Sequence, residues 1–493
     1  MSNRIHALEM LGAFAAIVAS GPVAMAQVPA QQAVPSTTQM VLKGKAPVSK
    51  EVLKVKLPKA SEAPLPNGLE VMVLEDHRLP QVTFQLVIPG AGGYYDPDAQ
   101  PGLAGFVAAM MREGTPTRTS EQISSALETM GASLSFGAGA SSPSAQAFGS
   151  SLTKNFPALF DIASDILLHP SFAPAEWDRY RARTKPSFVQ VRTNPNFLAN
   201  ERFNEAVFGT HPASRIISNA TVLDAVMPPM LADFHKTHYV PDHAVIAFAG
   251  DITLAQARAL VEKDLGAWQK AGVAAPRVTD PAPIGPAKIY LINRPSSVQT
   301  TLWVGTQAIK RTDADYNSLT VANRVLGGVM GRLFRHLREE KGYTYGIGSF
   351  LAPNQYVGPW IAQTSVRTEV TEPALRDLLA EIGAMRDSLV PVQELEDSKR
   401  SLVASFALSL ESPQQMLSYY LESWSFNLPA NYWDAYPSQI SAVTAKEAQA
   451  SARKYWDPSR LQIIAVGDAT KIRDILSKLG TVVMLDSDGK PIS

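Results

Sequence analysis

The chain has 493 residues, 45% apolar and 18% charged, a balance that allows more than one closed core and excludes disorder throughout. Its 45 basic and 45 acidic residues cancel without any basic run of five, so it carries no electrostatic footprint for nucleic acid or anionic lipid. The lack of cysteine excludes disulfides, thiolate nucleophiles, cysteine-ligated zinc and an acylated cysteine anchor.

In chain order, Arg4 precedes an apolar run at 11–20, and "VAMA" at 23–26 offers an A-x-A cleavage site. The pattern predicts a secretory signal peptide over 1–26, a mature start near Gln27 and a periplasmic location. The run falls short of the roughly 20 residues a membrane span needs, so no stable membrane insertion is expected after cleavage. With Glu9 close to the run, an uncleaved anchor is the alternative. Residues 27–58, rich in Gln, Pro, Ala, Thr and Lys, read as a tether.

"PQVTFQLVIPGA" at 80–91 alternates as a strand, and "GLAGFVAAMMREGT" at 102–115 reads as a short buried helix with nothing reactive on its first two turns. "SEQISSALETMG" at 120–131 predicts a helix capped by Thr119 or Ser120. Further on, "THYVPDHAVIAFAGDIT" at 237–253 lies over "KYWDPSRLQIIAVGDAT" at 454–470 with a shift of 217, which brings Gly250 onto Gly467 and Asp251 onto Asp468. A shift of 216 sets Val82 over Val298 in two alternating strands. Two matches at nearly one offset argue for a duplicated domain, since the unit is too long for a solenoid repeat.

The proline-rich stretch 271–287 marks the seam, which predicts domains at 59–270 and 288–480 and a tail at 481–493. Strands followed by helices in each copy predict an α+β fold: two homologous tandem domains, each a mixed or antiparallel sheet packed with helices.

Among possible sites, His235, His238 and His243 cluster in "FHKTHYVPDH", but no glutamate is placed for an H-E-x-x-H arrangement, and a helix end entering a strand accounts for them. His77 in "LEDHRLP" reads as a hairpin residue. No G-x-S-x-G occurs, and "VLGGVMG" lacks the Lys-Ser/Thr of a phosphate loop, leaving Gly327, Gly328 and Gly331 as a helix interruption.

"LPNGLEVMVLEDHRLPQVTFQLVI", "GLAGFVAAMMREGT", the Gly-Asp strands and "VLGGVMGRLFRHLREEKGYTYGIGS" together resemble the pitrilysin and insulinase (M16) type of zinc peptidase over roughly 59–480. The closest likeness is to its two-domain, mitochondrial-processing-peptidase-like branch, with the fold named for LuxS and that peptidase. That family carries G-L-A-H-F-L-E-H-M on its first helix, where histidines at i and i+4 share a face for zinc and a glutamate at i+3 activates its water. Aligned without a gap, these positions are Gly105, Ala108 and Ala109, none able to bind metal or accept a proton. The family's further glutamate ligand falls in "RTKPSF" at 183–188, which has no acidic residue and contains Pro186.

The resemblance also implies that Arg338 and Tyr345, in "LREEKGYTYG", are an arginine and tyrosine that reach a closed chamber and face the other half's zinc. Tyr343 and Arg332 stand near enough to support them, and Glu339 and Glu340 read as a solvated face or as partners for nearby arginines. The implied protein is a non-zinc subunit that binds peptide and no cofactor of its own. Its zinc is expected on an H-x-x-E-H-containing sister subunit. A catalytically inactive homologue acting as a peptide-binding or assembly scaffold is the second reading, and a self-sufficient enzyme with an unrecognised metal site is the third.

Overall fold

The computed structural model describes residues 55–492 except 273 and 275. The predicted signal peptide and the predicted tether up to residue 54 lie outside the described residues. The first half runs β1 Ser61–Pro64, β2 Glu70–Glu75, β3 Gln81–Pro89, α1 Leu103–Met111, α2 Ser120–Met130, β4 Ser133–Ala138, β5 Ser144–Leu152, α3 Phe156–Leu168 and α4 Pro174–Val191. It continues with α5 Pro195–Phe208, α6 Ala220–Ala225, α7 Pro228–His238, β6 Val245–Gly250 and α8 Leu254–Leu265. The second half runs β7 Lys288–Asn293, β8 Gln299–Gln307, α9 Tyr316–Gly327, β9 Thr344–Leu351, β10 Pro359–Arg367, α10 Thr371–Asp387 and α11 Val392–Ser409. It ends with α12 Pro413–Phe426, α13 Tyr432–Ala442, α14 Ala445–Tyr455, β11 Gln462–Gly467, α15 Ala469–Ser477 and β12 Val482–Leu485.

Each half builds one six-stranded sheet, ordered β1-β2-β6-β3-β5-β4 and β12-β7-β11-β8-β10-β9. The repeated Gly-Asp strands β6 and β11 are central, buried along their whole length, parallel to one neighbour and antiparallel to the other. Because β6 lies between β2 and β3, the turn carrying His77 is a crossover rather than the predicted hairpin. The repeat breaks at one edge, where β1 enters antiparallel to β2 while β12 pairs parallel with β7. Residues 482–485, read as tail, therefore complete the second sheet, and their apolar run Val-Val-Met-Leu supplies the side chains for it. Leu57, at the end of the predicted tether, is buried against Phe406 and Trp433.

Helix ends follow local chemistry. Thr119, not Ser120, caps α2, forming a capping box with Gln122, and Gly131 closes the helix in the left-handed region at φ 59°. One face of each sheet packs against helices of its own half. The opposite faces are covered crosswise. From the first half, α5 lays Leu198, Ala199 and Phe203 on Trp303, Ile464 and Val466 of the second sheet. From the second, α12 lays Met416, Leu417 and Leu421 on Met72, Leu74, Val245 and Ala247 of the first. Gly305 permits the first of these contacts, since a Cβ there would stand 2.8 Å from the Phe203 ring.

Segment 271–287 runs irregularly between the halves and is tied to both. Thr279 N–H donates to the Tyr94 hydroxyl at 2.9 Å, and Gln307 Nε2 donates to the Ala282 carbonyl at 2.7 Å.

Candidate functional site

Helix α1 is buried on most sides, and its Gly105 and Ala109 form the half-exposed stripe. A Cβ at Gly105 would meet only the Ala138 carbonyl, at 3.4 Å, so this stripe runs beside edge strand β4. Ala108 is buried in the first core. The 183–188 window lies in α4, with Pro186 inside the helix, and Arg183 reaches Glu113 just beyond α1. No three His, Asp or Glu side chains converge as a metal would need among the described residues.

The clustered histidines serve separate partners. His235 Nε2 pairs with the Leu167 carbonyl at 2.9 Å and its ring stacks on Tyr239, while burial pulls its pKa down to about 4. His238 Nδ1 pairs with the Gly90 carbonyl at 2.8 Å, its ring stacks on Phe234, and burial lowers its pKa too. His243 occupies a left-handed turn at φ 60°. His77 sits 2.7 Å from Asp251, and that hydrogen bond raises the imidazole pKa.

The second half brings Arg338 and Tyr345 together. After α9 ends at Gly327, a short non-helical stretch precedes a second helical segment. A Cβ at Gly327 would fall 2.1 Å from Ser349 Oγ, so glycine is required where the helix end meets β9. The second segment widens into a π-helical turn over Phe334–Glu340, with Lys341 N–H donating to the His336 carbonyl at 3.0 Å. Such turns add a residue to the helix and re-aim its side chains. Arg338, on this turn, places its guanidinium carbon 4.5 Å from the Phe334 ring centre and 5.3 Å from that of Tyr345. Tyr345 lies on edge strand β9 and is 91% exposed. Glu339 stands 3.5 Å from Arg338, and both Glu339 and Glu340 face solvent.

Tyr345 lines a groove of about 700 Å³ along β9 and β10, to which Asn196 of α5 also contributes. Tyr343, Gln299, Gln363, Ser365 and Arg367 also line it. Tyr343 is half-buried against the second core, so it joins the groove to the packed interior. Arg332 does not join the pair: Glu394 holds it through two hydrogen bonds from Nε and one of 2.7 Å from Nη2. A charge paired in this way at the start of α11 braces two helices. Sequence reasoning missed Phe334, Gln363 and Arg367, which lack any local motif: the π-helical turn sets Phe334 under Arg338, and strand β10 brings Gln363 and Arg367 to the groove.

The family model described as "Insulinase (Peptidase family M16)" matches residues 70–221, and "Peptidase M16 inactive domain" matches 227–402. The chain belongs to the M16 peptidase family. Among M16 relatives, an uncharacterized zinc protease of Mycobacterium bovis is 26% identical over 409 residues, covering 80% of this chain and 91% of that one. Another, of Streptomyces coelicolor, is 23% identical over 400 residues, covering 79% and 85%. A peptidase M16 inactive domain from Pseudomonas fluorescens superposes with a TM-score of 0.75 at 27% identity, covering 83% of this chain and 98% of that one. A Helicobacter pylori protease, at 14% identity, shares the fold with a TM-score of 0.77, covering 83% and 100%.

Zinc is the metal this M16 membership implies, and the residues at its expected place do not fit it. Gly105, Ala108 and Ala109 offer no lone pair, and the 183–188 window offers only cationic, hydroxyl and apolar side chains.

Proposed function

We propose that this chain is the non-zinc subunit of a heterodimeric M16-type metallopeptidase, binding peptide and assisting proteolysis at a zinc site on an H-x-x-E-H-containing sister subunit. The observation that carries this reading is the contrast between the two halves. The α1 stripe has no metal-binding group, whereas Arg338 and Tyr345 stand together at an open groove. A tyrosine hydroxyl can donate to an oxyanion developing on a peptide carbonyl, and a guanidinium can hold neighbouring carbonyls with several fixed donors. The amide and hydroxyl groups of Asn196, Gln299, Gln363 and Ser365 suit a peptide main chain, and the outer side of β9 has no strand partner among the described residues. The same donor-free helix also fits an inactive homologue that only binds peptide or scaffolds an assembly. The proposed setting is the periplasm, reached through the signal at 1–26.

The test is gentle purification of the tagged protein from its own cells, with identification of whatever co-purifies in equal amount. An H-x-x-E-H partner and peptide cleavage by the pair are expected. A lone chain without peptidase partner would transfer the reading to the scaffold. In the assembled complex, Tyr345→Phe is expected to lower turnover about 100-fold with assembly intact, the scale of losing one oxyanion donor. Arg338→Ala is expected to weaken binding of a labelled peptide by roughly tenfold or more, as loss of a charged hydrogen bond would. Unchanged values in both variants would sink the proposed roles.

A further inference from the structure

Tyr345 faces the groove because β9 contains one residue too many. Ile347 and Ser349 point into the core, so strict alternation would turn Tyr345 inward as well. The pairing with β10 breaks that count. Ile347 opposes Thr364 and Thr344 opposes Val366, leaving Tyr345 and Gly346 together opposite Ser365. This is a β-bulge, which lets Thr344 take the inward side and releases Tyr345 outward. The corresponding pairing in the first half, β4 with β5, runs without interruption from Ser133 opposite Ser150 to Ala138 opposite Ala145. The extra residue therefore belongs to the copy that carries the Arg338–Tyr345 pair.

A bulge leaves backbone groups off the ladder, and two threonine hydroxyls take them up. One proton arrangement satisfies the set. Gly346 N–H donates to Thr344 Oγ1 at 3.1 Å, and Thr344 Oγ1 donates to the Ser365 carbonyl at 2.8 Å. Thr364 Oγ1 donates to the Gly346 carbonyl at 3.0 Å and lies 2.9 Å from Thr344 Oγ1. Thr344 Oγ1 also lies 2.9 Å from the Gly346 carbonyl, so removing the hydroxyl of Thr364, a residue 6% exposed, would leave Thr344 to serve both that carbonyl and the Ser365 carbonyl with one proton.

We propose that Thr344 and Thr364 are positioning residues, whose hydroxyls clasp the Tyr345–Gly346 bulge and hold Tyr345 outward beside Arg338. The benefit to peptide binding rests on the function proposed above, but the clasp itself does not. Thr364→Val keeps the shape and deletes the hydroxyl, Thr364→Ser keeps the hydroxyl, and Thr344→Val removes the second half of the clasp from a less buried site. The full chain carrying 3-fluorotyrosine in place of Tyr345 reports the side chain by its fluorine resonance, with thermal unfolding as the control for global damage.

A single narrow line is expected in the parent, a shifted and broadened line in Thr364→Val and Thr344→Val with cooperative unfolding retained, and the parent line in Thr364→Ser. A labelled peptide should bind roughly tenfold more weakly to Thr364→Val and normally to Thr364→Ser. An unchanged fluorine line in both valine variants would overturn the clasp, and so would failure of serine to restore it. If the line behaves as expected while Arg338→Ala binds peptide like the parent, the clasp stands and the peptide-binding reading fails.

Discussion

His235 shows how one buried side chain couples this fold to pH. Its imidazole donates to the Leu167 carbonyl from a site where burial holds its pKa near 4, against 6.5 for a free imidazole. Below pH 6.5 the unfolded chain takes up a proton that the folded chain refuses until about pH 4. Stability from this group is thus complete above pH 6.5 and declines as pH falls towards 4, by up to about 3 kcal/mol. His235→Gln retains a donor for Leu167 without the titration. Its melting temperature should fall less steeply than the parent's between pH 6.5 and 4, and parallel curves would contradict the assignment. The exposed His77 works in the opposite sense. Its raised pKa stabilises the fold below 6.5, and that contribution fades as pH rises past its folded value.

Helix α1 begins without a side-chain cap of its own, because Gly102 stands at its N-cap with φ 96°. Asp96 supplies what is missing, accepting from the N–H groups of Gly102 at 2.5 Å and Ala104 at 2.8 Å. Arg215 closes this corner by donating to the Asp96 carbonyl at 3.0 Å. Asp96→Ala is expected to cost roughly 1–2 kcal/mol, the value of a strong cap, and to speed amide exchange first in α1. Asp96→Asn, which keeps an acceptor, should lose less. Equal stability in the alanine variant would mean that the helix is held by its apolar packing alone. The helix has kept its seat in the first core while carrying no metal-binding group, since Leu103, Val107, Met110 and Met111 do the packing.

At the scale of the molecule, the crosswise covering of the sheets ties the two copies into one cooperative body. Without α12, the first sheet would present Met72, Leu74, Val245 and Ala247 to water, and without α5 the second would present Trp303 and Ile464. Glu422 of α12 pairs with the buried Arg311 at 2.5 Å, and Trp424 Nε1 donates to Glu70 at 2.6 Å, which fixes α12 to both halves. A single calorimetric transition is expected for the whole chain. Leu417→Ala, which removes a nearly fully buried contact of α12, should destabilise that single transition by roughly 2–5 kcal/mol. Two resolved transitions, with only one moved by the substitution, would refute the coupling.

The amino-acid order alone determined the duplication, the α+β class, the Gly-Asp strands and the absence of donor side chains at Gly105, Ala108 and Ala109, whereas only the family resemblance marked those three as metal positions. These are legible because alternation, helical periodicity and donor chemistry reside in neighbouring residues or in a single side chain. The proximity of Arg338 and Tyr345 was legible only as a family spacing; the π-helical turn and the bulge that make it geometric came from pairing. Tertiary structure alone decided that α5 and α12 change halves, since an apolar helix face does not name the sheet it will cover. It also decided that Arg332 belongs to Glu394, that residues 482–485 are a strand, and that Tyr345 faces outward. Each of these depends on partners distant in the chain, whose meeting is settled by whichever surfaces folding leaves to be buried or hydrogen-bonded.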